Sequence, residues 1–231
     1  MPKLFIVATP IGNLKDITLR ALETLQAVDY ILAENTYKAK RLLSFYKIKK
    51  PVINYFQGSS KRVRARIFDL LNQGKDIALI SEAGTPGISD PGNELIAEII
   101  EKFGDKVEII PIPGPSALTT IASIAGLPMQ KFLFLGFVPK RKQRKFFQEI
   151  INSKYPVIFF ESPHRIIKTL EKLKELEPDL KIVVGRELTK KFETIYRGTL
   201  EEVINSISQD KIKGEFVVVV YRKKDSPTFC S

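Results

Sequence analysis

Six short loops hold the residues best suited to chemistry. They are Pro10-Ile-Gly12, Glu34-Asn-Thr36, Gly84-Thr-Pro-Gly87, Gly114-Pro-Ser116, Glu161-Ser-Pro-His164 and Arg186-Glu-Leu-Thr189. Each follows an apolar run of strand length, and open α/β sheets take ligands at the carboxyl ends of their strands. The glycines allow a ligand to approach the backbone closely. Helix starts predicted at Asp90, Ser116 and Ser162 add free N–H groups and partial positive charge, which suit a carboxylate or a phosphate. The chemistry supported is the holding of a folded polar ligand, mainly by backbone. The competing reading is a set of connections whose glycines and prolines only turn the chain.

Other signatures are missing. No G-x-G-x-x-G follows a strand and no G-x-x-x-x-G-K-[ST] occurs, so the ordinary dinucleotide and P-loop sites are unsupported. One cysteine and one histidine argue against a Cys/His metal site. A Ser-His-Asp hydrolase would have to use His164, and no G-x-S-x-G elbow supports it.

The loops need a scaffold, and the chain alternates strand and helix patterns. Strands are expected at Leu4–Ala8, Tyr30–Ala33, Val52–Tyr55, Ile77–Ile80 and Val107–Ile110. In the second half they are expected at Phe132–Phe137, Val157–Phe160, Ile182–Val184 and Phe216–Tyr221. Helices between them show apolar residues at helical spacing, such as Leu19, Leu22, Leu25 and Val28, or Leu95, Ile96, Ile99, Ile100 and Phe103. Asp90 is expected to cap a helix with Pro91 in its first turn, and Ser162-Pro163 repeats the arrangement. Thr199 to Glu202 reads as a capping box. The alternation predicts an α/β fold with a mostly parallel sheet. Pro111-Ile-Pro-Gly-Pro115 is the clearest boundary, giving an N-terminal α/β domain over 1–112, a C-terminal α/β domain over 116–221 and a loose tail over 222–231.

Composition bounds the partners. Thirty-seven bases against 26 acids give a net charge of +11 over 231 residues. Such a surface favours a polyanion such as nucleic acid. The 44% hydrophobic content supports a packed core. The lone Cys230 cannot form an internal disulfide and fits a reducing compartment. No apolar run approaches the ~20 residues of a spanning helix, and the N-terminal run is too short for a signal peptide. A cytoplasmic protein with no membrane partner is expected.

Six stretches together resemble one family. They are Leu4 to Thr18, Ser81-Glu-Ala-Gly-Thr-Pro-Gly-Ile-Ser-Asp-Pro-Gly92, Pro113-Gly-Pro-Ser-Ala117, Phe134-Leu-Gly-Phe-Val-Pro139, Phe160-Glu-Ser-Pro-His-Arg165 and Arg186-Glu-Leu-Thr-Lys-Lys-Phe-Glu193. In this order and at these separations they resemble the 16S ribosomal RNA 2′-O-methyltransferase I family, within the tetrapyrrole methylase superfamily. The resemblance implies two α/β lobes of the tetrapyrrole-methylase type, with S-adenosyl-L-methionine in the cleft between them. It implies a homodimer that methylates a cytidine ribose in 16S rRNA of the small ribosomal subunit. It also implies cofactor contacts at Pro10, Gly84, Thr85, Ile88, Ser116 and Ala117, with Phe160, Leu188 and Gly214 as second-lobe walls. The chain departs from the family pattern where Glu34-Asn-Thr-Tyr37 replaces Glu-Asp-Thr-Arg and where Tyr55-Phe-Gln-Gly-Ser59 replaces Tyr-His-Glu-His-Asn. It departs again where Ser81-Glu-Ala-Gly84 replaces Ser-Asp-Ala-Gly.

A ribose hydroxyl is a weak nucleophile, so a positioned proton acceptor helps by about 10²–10⁴-fold. Glu34, Glu161, Glu187 and His164 are the candidates, each against a structural reading as a cap or an ion pair. Lys61, Arg62, Arg64 and Arg66, with Lys140, Arg141, Lys142, Arg144 and Lys145, are the candidate RNA-phosphate ligands, against a reading as solvated helix faces. Phe146 and Phe147 could stack on bases but fit a core better. Two rival functions are a methylase of a small tetrapyrrole-like molecule and an RNA-binding homologue impaired in catalysis.

Overall fold

The computed structural model describes residues 1–222. The chain divides into two compact units, Met1–Ser116 and a second that begins at Ala117.

In the first unit, strands and helices alternate: β1 (Lys3–Val7), α1 (Leu19–Ala27), β2 (Tyr30–Ala33), α2 (Thr36–Phe45), β3 (Val52–Asn54), α3 (Lys61–Asn72), β4 (Ile77–Ile80), α4 (Asn93–Phe103) and β5 (Glu108–Ile112). The strands form one parallel sheet in the order β3-β2-β4-β1-β5. β4 is buried at every residue, which is why it reads as an unbroken apolar run. Its side chains still divide between two layers, as the strand's period of two requires. Ile77 and Leu79 join Leu4 and Leu32 against α3 and α4. Ala78 and Ile80 join Val7 and Ile31 against α1 and α2. The chain therefore leaves β1 over one face and the adjacent β4 over the other. That is a topological switch point.

Three local expectations for this unit are corrected. Leu19 is 78% exposed, because the buried side of α1 is Ala21, Thr24 and Leu25. Thr18 caps the helix by accepting from the Ala21 N–H at 3.1 Å. α4 begins at Asn93, after Asp90-Pro91, with Gly92 as a cap that has no side chain to give. β5 runs through Pro111 to Ile112, which an edge strand permits because a proline there need leave no ladder bond unmade.

The second unit comprises α5 (Ala117–Ile124), β6 (Leu133–Phe137), α6 (Gln143–Asn152), β7 (Val157–Glu161), α7 (Ile166–Leu176), β8 (Leu180–Arg186), β9 (Thr194–Thr199), α8 (Leu200–Gln209) and β10 (Phe216–Arg222). Its sheet runs β6-β7-β10-β8-β9. Only β6 and β7 pair in parallel; the other three pairings are antiparallel. The mostly parallel sheet expected from alternation is thus corrected here. β9, absent from the sequence reading, is an edge strand that returns beside β8. Residues from α6, α7 and α8 form one core layer with Phe159, Val184 and Val218. Phe146 and Phe147 are buried in that layer, which settles them as core and not as stacking platforms.

α7 starts at Ile166 with Arg165 as its cap residue, so Ser162-Pro163 forms a turn before the helix rather than its first turn. The Thr199–Glu202 capping box forms as expected. Arg222, placed by the sequence reading in a loose tail, ends β10 and donates to the Glu177 carboxylate at 2.9 Å. The rest of that tail, with Cys230, lies outside the described residues.

Candidate functional site

In the first unit the loops after β1, β4 and β5 hold one another. Thr9 and Gly84 exchange both backbone hydrogen bonds, each 2.9 Å, directly beyond the switch point. The Thr85 hydroxyl donates to the Pro115 carbonyl at 3.2 Å. Gly84 has φ +81°, and a Cβ there would lie 3.3 Å from Ile11 Cγ2 and 3.6 Å from the Pro115 oxygen. The backbone conformation therefore favours glycine, and a Cβ would also press on Ile11 by a few tenths of an ångström. The Thr9 hydroxyl is buried and has no hydrogen-bond partner. Pro10 and Gly84 are buried, Thr85 and Ser116 half-buried, and Ile88 exposed. The structure thus gathers Pro10, Gly84, Thr85 and Ser116 at one edge of the sheet.

The neighbouring loops, after β2 and β4, carry charge. Glu34 is exposed. The Asn35 Oδ1 accepts from the Tyr37 and Lys38 N–H groups, capping α2. Lys38 pairs with Glu82. The hydrogen bond from Lys38 holds the Glu82 carboxyl below the usual carboxylate range; burial opposes this and Asn35 adds to it. The sequence reading missed Lys38 and Glu82 as a pair. The available signal was the glutamate at 82 standing where the resembled pattern has aspartate, two positions before Gly84.

Arg64 is not free for RNA. It pairs with Glu98 and donates its Nε to the Ser59 carbonyl at 3.0 Å. Lys61, Arg62 and Arg66 remain exposed on the same helix. A cavity of about 90 Å³ lies among Tyr55, Gln57 and residues 90–94, smaller than the ~300 Å³ at which ligand pockets begin.

In the second unit the six catalytic or wall candidates differ sharply. Glu161 is 1% exposed. One of its carboxylate oxygens accepts from the Ser162 N–H at 2.7 Å and pairs with Arg165 at 2.7 Å. The other accepts from the Thr169 hydroxyl at 2.8 Å. Both of its oxygens are occupied by donors of the turn and of α7, which gives it a structural role. His164 is exposed on that turn. Glu187 pairs with Lys190 at 2.7 Å and accepts from the Glu215 N–H at 3.0 Å. Burial pushes its carboxyl up, but Lys190, the Glu215 N–H and the Arg186 charge outweigh burial and hold it low.

Glu187 and Thr189 both have positive φ, +51° and +66°, uncommon for any residue but glycine and rarest for the β-branched Thr189. This bent backbone carries Leu188, buried against the Cα of Gly185, where a Cβ would lie 2.9 Å from Leu188 Cδ2 and 3.0 Å from Ile121 Cδ1. Gly214 is glycine because the Glu187 side chain lies over it. Phe160 is half-buried, its ring 5.1 Å from that of Phe134 and 5.2 Å from that of Phe137. Ala117 opens α5. Lys140, Arg141, Lys142, Arg144 and Lys145 are all exposed, and Lys145 lies 3.9 Å from Glu149.

The sequence model of the tetrapyrrole (corrin/porphyrin) methylases matches residues 3–204. The chain belongs to the tetrapyrrole methylase family. Among members of this family, the ribosomal RNA small subunit methyltransferase I of Thermotoga maritima is 42% identical, covering 97% of this chain and 100% of that protein. That of Bacillus subtilis is 41% identical, covering 94% of this chain and 74% of its own length. Solved structures with the tetrapyrrole methylase fold agree. Diphthine synthase superposes with TM-score 0.72 at 16% identity, covering 96% of this chain and 90% of its own. The methyltransferase CobJ superposes with TM-score 0.69 at 18% identity, covering 96% and 95%. Among the described residues no helix is long and apolar enough to cross a membrane, and no cluster of His, Cys, Asp or Glu is arranged to hold a metal ion.

Proposed function

We propose that the protein is an S-adenosylmethionine-dependent methyltransferase that methylates the ribose 2′-hydroxyl of a cytidine in 16S rRNA, working as a homodimer in the cytoplasm. The observation that carries this is identity of about two residues in five, over 94–97% of this chain, with proteins named ribosomal RNA small subunit methyltransferase I. The residues at the edge of the first sheet fit the methyl donor. The Thr9 hydroxyl is buried with its hydrogen bonds unmade, and Gly84 lets the loop after β4 close onto Thr9 beside it.

Pro10, Gly84, Thr85, Ile88 and Ser116 of the first unit are proposed to hold the donor, as are Ala117, Phe160 and Leu188 of the second. Gly214 acts through Glu187. The bound donor supplies an electrophilic methyl carbon on a sulfonium sulfur. The chain's own residues must then exclude water, bring the acceptor hydroxyl to about 3–3.5 Å and align it. Glu34 and His164 are the two acid–base candidates with no hydrogen bond or ion pair to the side chain among the described residues. Glu34 immediately precedes Asn35, the cap of the helix that carries Lys38. We assign it the proton of the acceptor hydroxyl, with Lys38 balancing the charge.

Small subunits from a host lacking the enzyme, incubated with labelled donor and mapped for modification, test the reading. One labelled cytidine ribose in 16S rRNA is expected. Label that appears only in a tetrapyrrole or other small molecule, or none despite donor binding by calorimetry, overturns it. Light scattering tests the dimer.

A further inference from the structure

The outer face of α2 carries a pattern that the fold does not use. Ala39 and Leu43 turn inward and join the core, while Tyr37, Lys40, Arg41 and Phe45 are exposed. Tyr37 is 76% exposed and Phe45 61%. At about 100° per residue, Tyr37, Arg41 and Phe45 follow one another around the helix in steps of about 40°. Their backbone positions climb by about 6 Å at each step, so the two aromatic residues stand about 12 Å apart along the axis with a guanidinium midway. Large rings left in water forgo the gain of burial. Two on one helix face form a patch, unlike the scattered single residues that need no account. Phe45 is also seated. Its ring meets that of Tyr46 edge to face at 4.9 Å and 82°, and the Tyr46 hydroxyl donates to the Leu14 carbonyl. A ring held in this way loses little freedom when something stacks on it.

The charge on this face selects the partner. α2 holds three bases and no acid. Lys38 is engaged by Glu82; Lys40 and Arg41 are exposed and without an ion pair among the described residues. A second copy of this chain fits poorly, because a two-fold contact across the face would set like charge against like. A single-stranded nucleic acid fits, with phosphates for the cations and unpaired bases for the rings. Tyr37 stands where the resembled pattern has arginine. A phenol ring and a guanidinium plane both stack on bases, so the exchange keeps the stacking and gives up the charge. Glu34, assigned the acceptor proton, is separated from Tyr37 only by Asn35 and Thr36.

We propose that Tyr37, Arg41 and Phe45 form a track on α2 for unpaired nucleotides of the RNA acceptor, the rings stacking on bases and Arg41 holding a phosphate between them. This rests on the RNA reading above. It adds to that reading a surface that acts by stacking, separate from the exposed bases of α3.

Binding of the full chain to naked 16S rRNA and to a fully paired RNA duplex, each over a salt series, tests this. Tyr37→Ala should bind 16S rRNA about tenfold more weakly with an unchanged log–log salt slope, since it removes a ring and no charge. Its binding to the duplex, whose bases stack on one another, should not change. Tyr37→Phe keeps the ring and should restore affinity. Arg41→Gln should lower the slope on 16S rRNA by roughly 0.7. Normal affinity for 16S rRNA in a double variant, Tyr37→Ala with Phe45→Ala, overturns the track and leaves the RNA reading standing. Equal losses on 16S rRNA and duplex also overturn the track, as the mark of a general disturbance. So does loss of the dimer in the double variant by light scattering, which would make this face a contact between copies. Unaltered protein that binds neither RNA overturns the track and the RNA reading together.

Discussion

The two units solve the same problem with different materials. The first is a doubly wound parallel sheet whose site edge is made of backbone: Thr9 paired to Gly84, and Thr85 bonded to Pro115. The second is largely antiparallel, and its strand ends carry ion pairs, Glu161 with Arg165 and Glu187 with Lys190. A parallel sheet sends every strand the same way and stacks its loops at one edge, where they can bond to each other. An antiparallel sheet splits its loops between two edges, so each turn must be held by its own side chains. The difference teaches that glycine carries the geometry in one unit and buried charge carries it in the other.

The comparison can be broken at its strongest point in the second unit. Glu161→Ala removes a carboxylate with three protein donors and leaves Arg165 without its partner. Stability should drop by about 3 kcal/mol, read by denaturant unfolding; a drop below 1 kcal/mol would remove buried charge as what holds that turn. In the first unit the matching test is Gly84→Ala. A residue forced to φ near +81° costs about 1–2 kcal/mol, and its Cβ would crowd Ile11. Donor affinity by calorimetry should fall by more than tenfold, and normal affinity would mean that this edge does not hold the donor.

A third test sharpens the contrast through pH. Glu187 is depressed in the folded protein. Its contribution is therefore present above its unfolded value, about 4.3, and is lost as pH falls through the lower folded value. Glu187→Gln should flatten the acid limb of a melting-temperature series below pH 5, leaving the part due to Glu82 and Asp29 of the first unit, which are depressed in the same sense. An unchanged acid limb would strip Glu187 of that role. The smallest effect is expected at Pro111→Ala on edge strand β5, within about 0.5 kcal/mol. A larger loss would show that β5 does not tolerate change as an edge should.

The fold of the first unit was legible because its strands are buried on both faces and read as continuous apolar runs, as Ile77–Ile80 does. The second was half legible. β9 has an exposed arginine, a glycine and two threonines in six residues, and such an edge strand leaves little periodic trace. Helix starts were misread at Asp90 and Ser162 because a proline after a polar residue marks a turn as readily as a first helical turn. Of the candidate site residues, those fixed by backbone demands were visible as Gly84, Pro10 and Ser116. The pairings of charge were not: Arg64 looked like a phosphate ligand until Glu98, from the next helix, was found on it, and Glu161 looked like a base until its oxygens were counted.

Sequence by itself determined the alternation of elements, the loops at strand ends and the family, because these depend on residue type and on short spacings. Tertiary structure alone decided the strand directions of the second sheet and the partner of each charge. Such features depend on contacts between residues far apart in the chain, and no local pattern encodes which distant group will arrive.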